Sequence, residues 1–319
     1  MLLLLALLAC RGEADDLPDC QAPALSDPWP ADGADPVSRS ASLSLAVDGA
    51  LDAADVVASV IADGVEQQGQ VQVDAGHLIW TPDQTLPATA EVSWSVDACG
   101  AQASGGFRTG SEGDRVDPTL LVDLAWGLDL DQATWIQPPG GQVLFGQLFS
   151  GLLLLGVQAA TEDELDLIGG AAEVVDETLV QQDPCVPTFD FDPVSFRNNP
   201  YFAVGPTTLQ LSYQGLPVQV DGVVLTGVLS ADGQALEDGA LAAELDAREI
   251  APSLGTSAEE LCALLEAYLG LSCAACATDG EERCVPLQVE DIEGERLPGL
   301  RVVPNPDAEE CSEDTGGGA

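Results

Sequence analysis

Lysine is absent from this 319-residue chain, and histidine occurs once, at His77. Nine basic side chains, all arginine, stand against 54 acidic ones, for a formal charge of -45. That balance repels nucleic-acid phosphates and anionic headgroups, so nucleic acid is excluded as a partner. Cations, basic proteins and neutral glycans stay open, and the acidity itself reads chiefly as a solvated surface. One histidine rules out a histidine-based triad built within the C-terminal part of the chain, and it argues against a zinc hydrolase. The Gly-rich phosphate loop, the Gly-x-Ser-x-Gly elbow and the HExxH motif are missing too. Also lacking is an uninterrupted apolar run of about 20 residues, the length that crosses a bilayer.

What is present begins with Leu2–Ala9, an apolar run that stops at Cys10 and gives way to Arg11-Gly12-Glu13-Ala14-Asp15-Asp16. A run of that length suits the apolar segment of a secretory signal, with the small Ala9 at the break. Leu7-Leu8-Ala9-Cys10 resembles the lipobox of bacterial lipoproteins. The resemblance implies a signal peptide over 1–9, Cys10 as the lipid-bearing N-terminus, and a tether over 10–22. The alternative is an ordinary signal peptide, or a terminus with a free thiol.

Cysteine parity supports the tether. The nine are Cys10, Cys20, Cys99, Cys185, Cys262, Cys273, Cys276, Cys284 and Cys311. Removing Cys10 leaves eight, an even set, as expected where disulfides form and persist. Eight cysteines pair in on the order of 100 ways. The expectation is that Cys20 and Cys99 close the first domain and that the C-terminal cluster pairs within itself. Cys273-Ala-Ala-Cys276 could instead be redox-active or half of a four-thiolate zinc site. Zinc would want a second close pair, and no histidine lies nearby.

Hydropathy content of 46% supports real cores, and the length suggests about two domains. Residues 23–110 read as short strands. Leu43, Leu45 and Val47 alternate with Ser44 and Ala46; Val71 and Val73, Leu78 to Trp80, and Val92, Trp94 and Val96 repeat the period of two. Asp32-Gly33, Asp48-Gly49 and Asp63-Gly64 supply turns, and closely spaced short strands predict a sandwich. Pro30-Ala31-Asp32-Gly33, Trp80-Thr81-Pro82, Leu86-Pro87 and the closing Phe107-Arg108-Thr109-Gly110 resemble the bacterial Ig-like domains of S-layer-type surface proteins. The resemblance implies a spacer or adhesive module without catalytic residues. His77 is expected on a strand surface.

Residues 115–306 lean to β as well, ahead of an acidic tail over 307–319. Leu120 to Trp126 is a strand candidate. Gln142 to Gln158 is the most apolar stretch after the opening run; it predicts a buried core strand, or else the wall of a pocket for an apolar ligand. Val218 to Leu229 and Leu236 to Ile250 predict a hairpin around Asp232-Gly233. Ser257-Ala-Glu-Glu260 is a capping box, after which Leu261, Leu264, Leu265, Tyr268 and Leu269 share a face and Gly270 stops the helix. That stripe is expected to pack on the sheet, with Cys262 stapling it. Asp129/Asp131 and Asp190/Asp192 are candidate calcium ligands or paired carboxylates, on the expectation that strand alternation puts each pair on one face.

The sequence therefore predicts a mainly β protein: an Ig-like β-sandwich followed by a β-rich domain with one amphipathic helix, disulfide-stapled. No cofactor is expected beyond a calcium ion, and no catalytic residue is identified. The expected setting is the bacterial envelope, at the outer membrane or cell surface, with the lipid holding the membrane and an envelope protein, glycan or apolar ligand as partner. Two other readings are a carrier of apolar ligands lined by Val143 to Leu155, and a secreted hydrolase using the four aspartates.

Overall fold

The computed structural model describes residues 20–112, 114–139, 152–176, 179–184, 186–213 and 216–304. It divides into two compact units. The first comprises the described residues up to Ala34, with Ser42–Gln84 and Ala90–Arg108; the second comprises Asp35–Ala41, Thr85–Thr89 and the described residues from Thr109 on.

Strand period builds the Ig-like sandwich. Its elements are β1 (Ala24–Trp29), β2 (Ala34–Val37), β3 (Leu43–Asp48), β4 (Val56–Ala62) and β5 (Val65–Glu66). Then come β6 (Gly69–Asp74), β7 (His77–Pro82), β8 (Glu91–Ala98) and β9 (Ala101–Thr109). One sheet runs β1-β3-β7-β6 and the other β2-β9-β8-β4-β5. Along β8, Val92, Trp94, Val96 and Ala98 are buried while Glu91, Ser93 and Ser95 face water. Leu43, Leu45, Leu78 and Trp80 bury the corresponding side of the other sheet.

Three two-residue hairpin turns set the registers. Asp63-Gly64 has φ of 47° and 80°, Ala75-Gly76 of 46° and 81°, and Cys99-Gly100 of 54° and 85°. Paired positive φ matches the right-handed strand twist, and glycine takes the second position without a Cβ clash. Cys99 in the last of these turns is bonded to Cys20, with Cα atoms 5.6 Å apart and a sequence separation of 79.

The second unit holds β10 (Ala125–Leu128), β11 (Thr134–Gln137), β12 (Leu153–Ala160), β13 (Glu164–Asp176), β14 (Leu179–Gln182) and β15 (Phe189–Asp190). It goes on through β16 (Val194–Ser195), β17 (Tyr201–Tyr213), β18 (Leu216–Leu229), β19 (Ala235–Asp246) and a short helix α1 (Ala247–Ile250). Helix α2 (Ala258–Leu269), β20 (Ala274–Ala275) and β21 (Glu282–Arg296) complete it. The sheet order is β14-β13-β12-β10-β21-β19-β18-β17, with β15 and β16 paired to β13, and β11 and β20 paired to β21. One core takes Leu165 and Leu167 from β13, Val204 and Leu209 from β17, and Trp126, Leu241 and Val289 from the middle. The sheet is therefore curled, both flanks facing the same apolar interior.

Leu120 to Trp126 is not one strand. Asp117 accepts the Thr119 N–H at 2.9 Å and caps a helical turn over Pro118–Leu120; Asp123 then takes φ 66°, and β10 starts at Ala125. A capping aspartate followed by proline starts a helical turn more strongly than the apolar residues favour a strand. Much of the apolar stretch from Gln142 lies outside the described residues. Its last part is β12, buried on both faces: Leu153, Leu155 and Val157 enter the main core, and Leu154 packs with Ala125, Ile168 and Val302 on the other side. Double-sided burial explains why this run does not alternate.

The segment covering that second face is Leu297–Val303. Val302 sits so close over Gly156 that a Cβ there would lie 2.8 Å from its own Cβ, so only glycine fits. The Gln182 amide locks the segment, accepting the Val303 N–H at 2.9 Å and donating to the Val303 carbonyl at 2.8 Å. Two more side-chain amides do the same within the second unit. Asn199 accepts the Val116 N–H at 2.9 Å and donates to the Val116 carbonyl at 2.8 Å. Asn198 accepts the Ser38 N–H at 2.7 Å and donates to the Pro36 carbonyl at 3.0 Å. Each amide offers an irregular segment the donor–acceptor pair that a neighbouring strand would have offered.

Asn199 is fully buried, as is Val116, so removing the amide leaves two backbone groups without water or partner. Asn199→Ala is expected to cost about 2 kcal/mol or more. Asn199→Asp, which keeps the acceptor but turns a buried carboxylate oxygen toward the Val116 carbonyl, should cost at least as much at neutral pH. Urea midpoints of the full chain check both; an Asn199→Ala midpoint equal to wild type would refute the clasp.

Candidate functional site

The cysteines account for the densest chemistry. Cys262 is bonded to Cys273 and Cys276 to Cys284, with Cα atoms 5.7 and 5.0 Å apart. The CxxC cysteines thus belong to different bridges, and the strand between them, β20, pairs Ala274 with Cys284 and Ala275 with Glu282. Among the described residues, three potential ligand atoms gather within 4.8 Å in two places: Cys20, Asp55 and Cys99, and Asp246, Cys276 and Cys284. In each, two of the three atoms are sulfurs already bonded to one another. A bridged sulfur is not a thiolate, so neither group has the donors zinc requires. Cys10, Cys185 and Cys311 lie outside the described residues.

Arg248 anchors this corner. Its Nε donates to both Asp246 carboxylate oxygens at 3.0 and 2.9 Å, and its Nη2 to Oδ2 at 2.7 Å. Nη1 donates to Asp279 Oδ2 at 2.6 Å, and Nη2 lies 3.7 Å from the Cys276 Sγ. The guanidinium holds the Asp246 carboxyl below its ordinary range against the opposing effect of burial, and it lowers Asp279 likewise. Glu244 accepts the Ala277 N–H with both oxygens, at 3.1 and 3.0 Å. These groups answer one another, so the corner is a brace for the Cys276–Cys284 bridge.

The four aspartates do not sit as strand pairs. Asp129 follows β10 in a turn, and its Oδ1 accepts the N–H groups of Asp131 and Gln132 at 3.0 and 3.3 Å. Asp190 ends the two-residue β15, and exposed Asp192 lies beyond it. The companion of Asp190 is instead Asp166 of β13, near Glu164. Burial first, then the charges of Asp190 and Glu164, push the Asp166 carboxyl upward. Alternation in Glu164-Leu165-Asp166-Leu167 puts Glu164 and Asp166 on one face, but no local pattern brings Asp190 to them. His77 is exposed at the start of β7, opposite Asp74.

Helix α2 shows the capping box in full: Ser257 Oγ accepts the Glu260 N–H at 3.2 Å, and the Glu260 carboxylate accepts the Ser257 N–H at 3.3 Å. Gly270 ends it at φ 68°. Its apolar residues do not all turn inward. Leu265 packs against the main core, whereas Leu264 is 47% exposed and Tyr268 80% exposed. The single stripe expected on the sheet is split between two faces.

A carboxyl raised by folding stabilises fully below its unfolded pKa of about 4, and that contribution is lost as pH rises through the folded value. At neutral pH, ionised Asp166 therefore opposes folding. Asp166→Asn is expected to stabilise by about 0.5 kcal/mol at pH 7, with the gain vanishing below about pH 4. Thermal unfolding at the two pH values checks this; an equal effect at both would refute it.

No protein-family model matches the chain, and no curated protein does. Among solved structures, CopC from Methylosinus trichosporium OB3b is similar at 16% identity and TM-score 0.24, covering 28% of this chain and 93% of that one. L,D-transpeptidase 1 of Mycobacterium tuberculosis is similar at 12% identity and TM-score 0.23, over 51% of this chain and 89% of that one. A chimeric titin Z1Z2-Z1Z2 tandem gives 12% identity and TM-score 0.20, over 66% and 93%. Likeness this slight transfers neither activity nor ligand.

Proposed function

We propose that this is an exported protein of the bacterial envelope, held to a membrane by a lipid on Cys10, whose two β units serve a structural or binding role. The observation that carries the reading is the set of three bridges, Cys20–Cys99, Cys262–Cys273 and Cys276–Cys284. Such bonds persist in oxidising compartments and are rare where thiols are kept reduced. They follow an apolar N-terminal run that ends at a cysteine. No helix among the described residues is long and apolar enough to cross a membrane, and a lipid of two or more acyl chains at Cys10 would provide attachment without one. The Ig-like unit then stands nearest the anchor as a spacer.

The carrier reading draws no support from Leu153–Leu155, because these side chains are committed to two packed cores. Asp129 spends its carboxylate on its own turn, which gives the hydrolase reading none either.

Intact-mass analysis of the chain extracted from bacterial membranes tests the proposal. A start at residue 10 with added acyl mass is expected, and Cys10→Ser should move the protein from the membrane to the soluble fraction. A start at Met1, or at residue 10 without acyl mass, would defeat the anchor.

A further inference from the structure

We propose that the outward face of α2 is a docking surface for a basic amphipathic helix of another protein. This extends the binding role suggested above and does not depend on the lipid anchor.

The helix carries more apolar surface than the described residues cover. Residues three and four apart share a helix face, so Ala263, Leu264, Ala267 and Tyr268 form one contiguous patch, and all four are exposed. Leu265, on the other side, packs against the core, and Cys262 is bonded to Cys273. The helix is therefore already fixed by one face and one bridge. Its second apolar face contributes nothing to that attachment. The patch spans about 8 Å of a helix of about 18 Å and offers its side chains at the three- and four-residue spacing by which a partner helix docks.

Charge decides between occupants. Glu266 flanks the patch without an ion-pair partner among the described residues; Glu260, at the N-terminal end, keeps its charge while its Oε2 accepts the Thr256 hydroxyl and the Ser257 N–H, and Glu259 is held by Arg283 at 2.7 Å. The last turn of α2 contains no basic residue, so backbone N–H groups of Gly270 and Leu271 cap the Glu266 and Leu265 carbonyls but no cation of that turn faces the negative end of the helix dipole beside Tyr268. A second copy would bring the same glutamates and the same dipole end against them. An anionic lipid surface is repelled by a chain of charge -45. A helix with leucine-type side chains on one stripe and lysine or arginine beside it satisfies both features. Its cations reach Glu260, Glu266 and the carbonyl end of α2, and one can lie over the Tyr268 ring.

The probe is a labelled synthetic helix of leucine and lysine at three- and four-residue spacing, titrated with the oxidised full chain at physiological ionic strength. Fluorescence anisotropy is expected to show saturable binding that falls about tenfold or more in Leu264→Ser/Tyr268→Ser. Both side chains are exposed, so the thermal midpoint should not move; Tyr268→Lys alone provides a second variant and should also weaken binding. Val57→Ser, which removes an exposed side chain of the first unit, should leave binding unchanged. Equal binding by wild type and the double variant would reduce the attraction to net charge and overturn the proposal. So would equal binding of the matching leucine–glutamate peptide, or sedimentation showing self-association that the double variant abolishes.

Discussion

Fifty-four acidic residues have to be kept out of two apolar interiors, and strand alternation is what keeps them out. β21 shows how strictly the rule is held. Val285, Leu287 and Val289 point inward on alternate residues; then Glu290 and Asp291 both turn away from the core before Ile292 re-enters it. An unbroken strand would have driven Asp291 or Ile292 to the wrong side. Asp291 takes φ 55° instead, and Asp238 in the facing stretch of β19 takes φ 48°, where the pairing of the two strands slips. Aspartate tolerates that left-handed backbone better than bulkier residues. The acidic composition thus supplies the residues that let the sheet bulge and stay in phase.

The few cations are spent locally. Arg108, Arg115, Arg248, Arg283 and Arg301 each meet a carboxylate within 4 Å. Exposed pairs such as Arg301–Asp123 add little to stability. The Arg248 cage differs because it closes over the Cys276–Cys284 bridge and joins β19 to the loop before β21. Covalent bridges and side-chain amides carry the work that scarce ion pairs cannot.

Much of the fold was legible where one local rule acted alone. The period of two in β3, β7 and β8, the Asp63-Gly64 turn, the β18–β19 hairpin and the Ser257–Glu260 box were all written in neighbouring residues. Competing local signals misled at Leu120 to Trp126, where Asp117-Pro118 overrode an apolar run. Turns at Ala75-Gly76 and Cys99-Gly100 lacked the aspartate or asparagine that marks such sites. The amides of Asn198, Asn199 and Gln182 were invisible because their partners lie 121 residues away for Gln182 and 83 for Asn199. The same is true of Asp166 and Asp190. The α2 stripe was read as wholly inward because helical spacing tells which residues share a side, and only tertiary packing tells how much of that side is covered.

Among the described strands β21 is the last in sequence, yet it lies between β10 and β19 in the middle of the sheet. Until it arrives, β14-β13-β12-β10 and β19-β18-β17 are separate half-sheets, each with an open edge. A chain emerging vectorially from a ribosome must hold those edges unjoined until β21 (Glu282–Arg296) has followed. Pairings so distant in sequence form slowly, and unpaired edges invite intermolecular strand addition meanwhile. Loss of β21 would therefore leave no smaller version of this unit, only two unfinished sheets.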